Sequence, residues 1–231
     1  MIKINNLTKI YNGTTVLNIG NLVINKGESY GLVGNNGAGK TTFFRLILDL
    51  IRSNSGEVTS KDSNVAGNEA WKHYTGSYLD EAFLIEFLTA EEYFNFIGKL
   101  HNLSKGDIAE FLNQYADFFN EEILEQKKYI RDFSKGNQKK IGIIAAMMGN
   151  PEILILDEPF TNLDPSSQIR LKKILTELKT RHDVTMLISS HDLMHVTEVC
   201  ERINVLEKGI IVQDLHTDEN TLKQLESYFA V

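Results

Sequence analysis

Residues 34–42 of the chain read Gly34-Asn35-Asn36-Gly37-Ala38-Gly39-Lys40-Thr41-Thr42. They fit a phosphate-binding pattern of glycine, four further residues, glycine and lysine, then serine or threonine. Glycines let the backbone fold tightly so that its N–H groups point at phosphate oxygens, and the positive end of the following helix adds attraction. Lys40 is predicted to reach the β- and γ-phosphates, and Thr41 to offer its hydroxyl to Mg²⁺. The stretch therefore predicts a site for a nucleoside triphosphate and Mg²⁺.

The runs on either side of this loop predict the strand and the helix that the pattern requires. Ser29 to Val33 is rich in β-forming residues and leads into the loop, and Thr41 to Ile51 carries apolar residues at helical spacing. Ile2 to Leu7, Val16 to Ile24 and the short run 57–59 are further predicted strands. A glycine-rich turn with a solvated lysine is the alternative, and the strand–loop–helix order argues against it.

Between about residues 79 and 132 the pattern changes from strands to helices. Ala90 to Leu100 and Asp107 to Phe119 carry apolar stripes with acidic residues on the opposite face, which predicts two amphipathic helices. We expect this segment to be a helical subdomain inserted into a single domain that covers residues 1–231. The sequence contains no internal repeat or low-complexity linker that would divide it further.

The last part of the chain alternates between helices and strands. Ile153 to Leu156 is a continuous apolar run, as in a strand that is buried on both faces of a parallel sheet. The other predicted elements are a helix over Ser134 to Met148, a helix opened by Asp164-Pro165, a strand over Val184 to Ile188, a helix after His191 and a hairpin from Asn204 to Val212. This alternation predicts an α/β fold of the P-loop NTPase class, with a mainly parallel core sheet, an N-terminal antiparallel β subdomain and the inserted α-helical subdomain.

The composition argues against several classes of protein. With 231 residues, of which 42% are hydrophobic, the chain can bury a sizeable core. Its formal net charge of −7 argues against nucleic acid as a partner. The single cysteine, Cys200, cannot form an internal disulfide, and no apolar run approaches the roughly 20 residues that span a bilayer. Because the start of the sequence also lacks the hydrophobic stretch of an export signal, we expect a cytoplasmic protein.

Two carboxylates, Asp157 and Glu158, follow the apolar strand. In an open α/β sheet ligands bind at the carboxyl ends of the strands, so both acids should lie beside the phosphate-binding loop. Asp157 suits the coordination shell of Mg²⁺, and Glu158 suits the attacking water as its general base. Acids that only cap the next loop are the alternative, which accounts poorly for their place after a fully apolar strand.

Three further stretches occur in a fixed order around this strand. They are Phe133-Ser134-Lys135-Gly136-Asn137-Gln138-Lys139-Lys140 one helix before it, Phe160-Thr161-Asn162-Leu163-Asp164 directly after it, and Ser189-Ser190-His191-Asp192 at the end of the next strand. Together with Lys40 and Asp157 they resemble the signature, the D-loop and the switch histidine of the ABC ATPase family. Tyr11 is similar to the aromatic residue that stacks on adenine in this family. The resemblance runs from about Ile2 to Leu215.

This resemblance implies ATP hydrolysis with Mg²⁺ at the interface of two ABC ATPase subunits stacked head to tail. Ser134 and Gly136 of one subunit would meet the γ-phosphate held by Lys40 of the other. Glu158 and His191 would act in catalysis together with Lys40. An integral membrane permease would convert closure of the pair into transport, which places the chain at the inner face of the cell membrane.

The sequence departs from the family pattern at two places. In the signature, Lys135 replaces a glycine and Asn137 a glutamine, which resembles the Ser-Lys-Gly variant of bacterial export and antibiotic-resistance ATPases. The Q-loop glutamine is missing, so that Asp80 or Glu81 must take its place as a metal ligand. A carboxylate there keeps the metal-ligand oxygens but adds charge beside an anionic nucleotide.

Two other functions stay open at this point. One is a soluble ABC ATPase of an assembly pathway, such as iron–sulfur scaffolding. The other is a regulatory subunit that binds ATP without hydrolysing it, against which Glu158 and His191 both argue.

Overall fold

The computed structural model describes residues 1–230 of the chain. These residues form the strands β1 (Ile2–Tyr11), β2 (Thr14–Ile24), β3 (Ser29–Val33), β4 (Ser55–Ser60), β5 (Ser63–Asn64), β6 (Thr75–Tyr78), β7 (Ile153–Leu156), β8 (Thr185–Ser190), β9 (Arg202–Glu207) and β10 (Ile210–His216). The α-helices are α1 (Lys40–Ile47), α2 (Ala90–Leu100), α3 (Lys105–Asn113), α4 (Ala116–Phe119), α5 (Lys135–Met147), α6 (Pro165–His182), α7 (Leu193–Val199) and α8 (Thr221–Phe229).

The strands form two sheets of different character. One sheet has the order β2-β1-β4-β5, and its pairings are antiparallel. The other has the order β10-β9-β3-β8-β7-β6, in which the β9–β10 hairpin is antiparallel and the remaining pairings are parallel. β7 is buried along its whole length, as its apolar run predicts. The predicted α/β fold class is therefore confirmed.

The parallel sheet brings three loops to one edge. β8 lies between β3 and β7 and runs parallel to both, so the carboxyl ends of the three strands point the same way. Val33, Leu156 and Ser190 are the last residues of these strands. The phosphate-binding loop, the two acids after β7 and the histidine after β8 consequently emerge at the same edge.

Two helices differ from the prediction. α1 ends at Ile47 rather than Ile51, because Asp49 has a φ of 48° and this left-handed conformation cannot continue a right-handed helix. The helix predicted over 107–119 is divided into α3 and α4, with Tyr115 in a non-helical conformation as the residue before α4. The apolar stripe predicts both helices but not the break between them.

Three elements, the strands β5 and β6 and the helix α8, were not predicted. β6 has the sequence Thr75-Gly76-Ser77-Tyr78, which lacks the apolar run of the other core strands. A Cβ atom at Gly76 would lie 1.8 Å from the carbonyl oxygen of Ala146, so the strand packs directly on the backbone of α5. Tertiary packing, rather than strand propensity, fixes β6 at the edge of the sheet.

Helices α2, α3 and α4 lie within the segment predicted as an inserted subdomain, about residues 79–132. Phe94, Ile108 and Phe118 from these helices belong to the same hydrophobic cluster as Ile144 of α5 and Leu154 of β7. The helical segment thus shares a core with the parallel sheet, and its status as a separate subdomain stays a prediction. In the described part of the chain, no helix combines the length and the apolar character needed to cross a bilayer.

Candidate nucleotide site

The loop between β3 and α1 borders a cleft of about 290 Å³. Gly34 has no room for a side chain, because a Cβ atom there would lie 2.3 Å from the carbonyl oxygen of Leu206. Gly39 has a φ of 111°, which residues with a side chain rarely adopt. The cleft is lined by Tyr11, Val16, Asn35, Asn36, Gly37, Ala38, Gly39, Lys40, Thr41, Thr42 and Glu158. The fold therefore brings the loop, Tyr11 and Glu158 together.

Lys40 is buried at the base of this loop, with 6% of its surface exposed. Its Nζ donates a hydrogen bond to the carbonyl oxygen of Gly34 at 2.6 Å and lies 3.2 Å from Oε1 of Glu158. The carboxylate balances the ammonium charge, as a buried charge requires. A phosphate group in the cleft would compete with Glu158 for this ammonium group.

Thr41 and Asp157 meet where the loop faces the end of β7. The Thr41 hydroxyl donates to Oδ2 of Asp157 at 2.5 Å, and the Ser189 hydroxyl donates to Oδ1. Burial raises the pKa of Asp157 above its ordinary value, and the two hydrogen bonds offset part of that rise. The sequence pattern predicts no role for Ser189. Its place at the end of the strand beside β7 is the signal that could have found it.

Glu158 is held by both its backbone and its side chain. Its φ of 48° is unusual for a residue with a side chain, and its N–H donates to the Ser189 hydroxyl at 2.9 Å. Oε2 of Glu158 lies 2.8 Å from Nδ1 of His191 and accepts a longer bond of 3.3 Å from the His191 backbone N–H. The structure therefore joins Lys40, Glu158 and His191 in one line of contacts.

Tyr11 is the aromatic residue of the cleft. Tyr11 is 45% exposed, and the centre of its ring lies 4.8 Å from Nζ of Lys9. A cation above one face of a tyrosine ring is a favourable arrangement. The cleft that Lys40 lines thus also has an accessible aromatic surface.

Ser134 and Gly136 lie at the N-terminus of α5. The Ser134 hydroxyl accepts a hydrogen bond from the Asn137 backbone N–H at 3.2 Å and so caps the helix. A Cβ atom at Gly136 would lie 2.6 Å from the carbonyl oxygen of Asn162, so α5 sits directly on the predicted D-loop. In the part of the chain that the structure describes, neither residue lines the cleft around Lys40.

Asp80 and Glu81 make contacts with other side chains. Oδ1 of Asp80 accepts from the backbone N–H of Ala82 at 2.7 Å, and Oδ2 lies 3.6 Å from the Arg45 guanidinium. The Tyr78 hydroxyl donates to Glu81 at 3.0 Å. Within residues 1–230, neither carboxylate lines the cleft. Their assignment as metal ligands, and the choice between them, stay predictions.

These contacts define a P-loop NTPase, in which a lysine and a threonine of the glycine loop face an acidic strand end. A comparison with protein-family models matches residues 17–161 to the family described as ABC transporter. The match covers more than half of the chain. The protein therefore belongs to the ABC transporter family, as an ATP-binding subunit, and the predicted kinship with the ABC ATPases is confirmed.

Two relatives of similar sequence are described as ATP-binding proteins of transporters. The chain is 35% identical over 209 residues to the ABC transporter ATP-binding protein YhaQ of Bacillus subtilis, covering 90% of this chain and 69% of that protein. It is 34% identical over 221 residues to the bacitracin transport ATP-binding protein BcrA of Enterococcus faecalis, covering 95% and 70%. The similarity to BcrA agrees with the predicted resemblance to ATPases of the antibiotic-resistance type.

Solved structures share the fold. An ATP-binding subunit of an ABC transporter superposes with a TM-score of 0.84 at 26% identity, covering 100% of this chain and 93% of that one. The ATP-binding cassette MJ0796, as a dimer in a post-hydrolysis state bound to ADP and Pi, has a TM-score of 0.81 at 23% identity, covering 94% and 99%. At that identity the second similarity concerns the fold alone.

Proposed function

We propose that this ABC ATPase hydrolyses ATP at the interface of a head-to-tail pair and so drives transport by a separate membrane permease. The observation that carries this proposal is the set of contacts among predicted site residues. Lys40 contacts Glu158, Glu158 contacts His191, and Thr41 contacts Asp157, the neighbour of Glu158. Phosphoryl transfer needs such a set of a phosphate-binding cation, a metal-binding acid and a base near the attacking water.

The residues have separate roles in this mechanism. The backbone of residues 34–42 and Lys40 hold the phosphates, while Tyr11 stacks on adenine. Glu158, released from Lys40 by the incoming phosphate, takes the proton of the attacking water as general base. His191, 2.8 Å from that carboxylate, orients it toward the water.

Mg²⁺ is the proposed metal cofactor, and the donor atoms fit it. The Thr41 hydroxyl and the Asp157 carboxylate are hard oxygen donors, and they already contact each other. The described residues contain no cluster of three or more His, Cys, Asp or Glu side chains that could hold a metal ion. Phosphate oxygens and water would supply ligands beyond Thr41, Asp157 and the predicted carboxylate of Asp80 or Glu81, as is common for Mg²⁺. Bound there, the ion would neutralise phosphate charge.

The second half of the site would come from another ABC ATPase subunit. Ser134 and Gly136 lie outside the cleft of their own chain, and Ser134 is exposed. We propose that they contact the γ-phosphate held by Lys40 of the second subunit. ATP then stabilises the closed pair and hydrolysis releases it, because the shared phosphate is lost.

The permease is proposed to dock beside the loop that follows β6. A groove of about 250 Å³ there includes Leu50 and Phe83, which are 48% and 53% exposed. Phe87 and Leu100 are further exposed apolar residues within the segment 79–132. Apolar patches of this kind are typical of protein interaction sites. A chain bound there would lie at the cytoplasmic face of the membrane.

The test of this function is the ATPase activity of the purified chain with Mg²⁺, compared with Glu158→Gln. Loss of the base should slow turnover by about 10² to 10⁴, which is roughly 3 to 5 kcal/mol in activation free energy, while binding of a fluorescent ATP analogue persists. Lys40→Ala is the matched variant that should lose binding itself. Equal turnover in the wild type and Glu158→Gln would remove Glu158 from the mechanism, and an inactive wild type that still binds ATP would favour a regulatory subunit.

A further inference from the structure

Helix α5 carries two adjacent buried lysines, Lys139 and Lys140. Lys139 is 4% exposed, and its Nζ donates to the carbonyl oxygen of Glu158 at 2.8 Å and to the Thr161 hydroxyl at 2.7 Å. Neither bond was foreseen from the sequence. Burying an ammonium group is costly unless it is paired and hydrogen-bonded, so a lysine here requires a specific set of acceptors.

The peptide group that Lys139 contacts belongs to a strained residue. Glu158 has a φ of 48°, and its N–H and C=O are both held by side chains. Ser189 accepts from the N–H, while Lys139 and Thr161 donate to the C=O. A left-handed conformation of this kind persists only where the surroundings fix it. The direction of the Glu158 side chain therefore depends on these hydrogen bonds.

The charge of Lys139 also faces the loop in which the expected glutamine is missing. The pKa of Lys139 is lowered by burial, and the carboxylates of Glu81, Glu158, Asp157 and Asp80 oppose that shift in this order. Tyr78 connects the two regions, because its hydroxyl donates to Glu81 and its ring centre lies 5.8 Å from Nζ of Lys139. The buried cation thus offsets part of the negative charge of these four acids.

We propose that Lys139 is a positioning residue for ATP hydrolysis, which holds Glu158 in its catalytic orientation from within the helix that begins with Ser134 and Gly136. The inference rests on the proposed role of Glu158 as general base. Lys139 lies about 1.4 helical turns after Ser134. A partner's nucleotide bound at the N-terminus of α5 is therefore linked, through one rigid helix and two hydrogen bonds, to the base in the same chain.

The test compares Lys139→Met with Lys140→Met in the full chain. Methionine is close to lysine in length and suits a buried position, so the first variant removes the charge and both hydrogen bonds with little change in packing. Lys140 is 2% exposed, and its Nζ lies 4.0 Å from Oδ2 of Asp164. Within the described residues it makes no hydrogen bond to Glu158. It controls for the loss of a buried lysine from the same helix.

We expect Lys139→Met to lower kcat by roughly 10- to 100-fold, the scale associated with misplacing a reacting group by about 1 Å. KM for ATP and the Kd of a fluorescent ATP analogue should stay near their wild-type values, because the phosphate-binding loop is untouched. Lys139→Arg, which keeps the charge and the donors, should recover part of the kcat. Lys140→Met, which keeps the Lys139 bonds to Glu158 and Thr161, should lower kcat less than Lys139→Met does.

Other outcomes would overturn the proposal. They are a wild-type kcat in folded Lys139→Met, an equal loss of kcat in Lys140→Met, or a loss of ATP affinity as large as the loss of kcat. These results leave the proposed function intact as long as the wild type hydrolyses ATP and Glu158→Gln does not. A wild type without ATPase activity would overturn the proposed function and the role of Lys139 together.

Discussion

Two helices of this molecule begin with the same tripeptide, Ser104-Lys105-Gly106 at α3 and Ser134-Lys135-Gly136 at α5. In both, the serine hydroxyl accepts a hydrogen bond of 3.2 Å from the backbone N–H three residues later. Each serine therefore satisfies one of the free N–H groups at its helix N-terminus. The local sequence fixes the same cap in both places.

The surroundings of the two caps differ. At α3, Asp107 completes a capping box by accepting from the Ser104 N–H at 2.8 Å, and a Cβ atom at Gly106 would meet nothing closer than 3.6 Å. At α5, Asn137 instead donates to Glu122 at 3.1 Å, and Gly136 presses on the predicted D-loop. The α3 cap lies on the surface, and the α5 cap is packed on the loop that follows β7. The tripeptide alone thus predicts the start of a helix. Only the contacts around α5 support its assignment as the ABC signature.

The largest difference between the two helices should appear when alanine replaces the glycine of each tripeptide. In Gly136→Ala, the Cβ atom would lie 2.6 Å from the carbonyl oxygen of Asn162, so either α5 or the D-loop must move. We expect steady-state ATP hydrolysis to fall by roughly 10-fold or more, as for other displacements of about 1 Å at a reacting centre. ATP binding, which depends on the loop at Lys40, should persist.

Gly106→Ala is the matched control, because this glycine has room for a side chain and alanine is the better helix former. Its hydrolysis rate should equal that of the wild type, and its free energy of unfolding should be unchanged or slightly higher. Full activity in Gly136→Ala would show that the contact between α5 and the D-loop is not needed for turnover.

The sequence predicted that the glycine loop and the two acids lie close together, because contiguous motifs carry these residues, while their roles stay predictions. Lys40 and Thr41 follow a β-rich run, and Asp157 and Glu158 follow an apolar one, so strand order alone brings them to one edge. Tyr11 was placed by family resemblance rather than by pattern, and it does line the cleft.

The remaining contacts depend on packing between distant segments, which periodicity does not encode. Lys139 sits in a polar, basic stretch that looks solvent-exposed in sequence, yet it is buried against Glu158 and Thr161. Ser189 looked like a strand end and proved to bond both Asp157 and Glu158. For β6, only the close approach of Gly76 to α5 explains a strand in a sequence of low strand propensity.

A smaller effect is expected at the two capping serines, where one substitution should change stability alone and the other both stability and ATPase activity. Ser104→Ala and Ser134→Ala each remove a side-chain cap and should lower the free energy of unfolding by about 1 kcal/mol, as measured by urea denaturation. Only Ser134→Ala should also lower the ATPase rate, because Ser134 is proposed to contact the partner's nucleotide. If both variants lost activity equally, the loss would reflect stability alone and the proposed partner contact would be wrong.

The smallest effect should be a difference in pH response between the caps, since Asp107 titrates and Asn137 does not. Hydrogen bonds from the Ser104 side chain, and then from its backbone, hold the pKa of Asp107 below its ordinary value. A depressed folded-state pKa means that this stabilisation is complete above the unfolded value of about 3.9 and disappears as the pH falls through the folded value. Wild type should therefore be slightly more stable than Asp107→Asn near neutral pH, and urea denaturation at decreasing pH should show this advantage vanish. Because Asp107 is fully exposed, solvent screening keeps the difference small. A difference that stays constant through the acid range would mean that the carboxylate charge contributes nothing to the α3 cap.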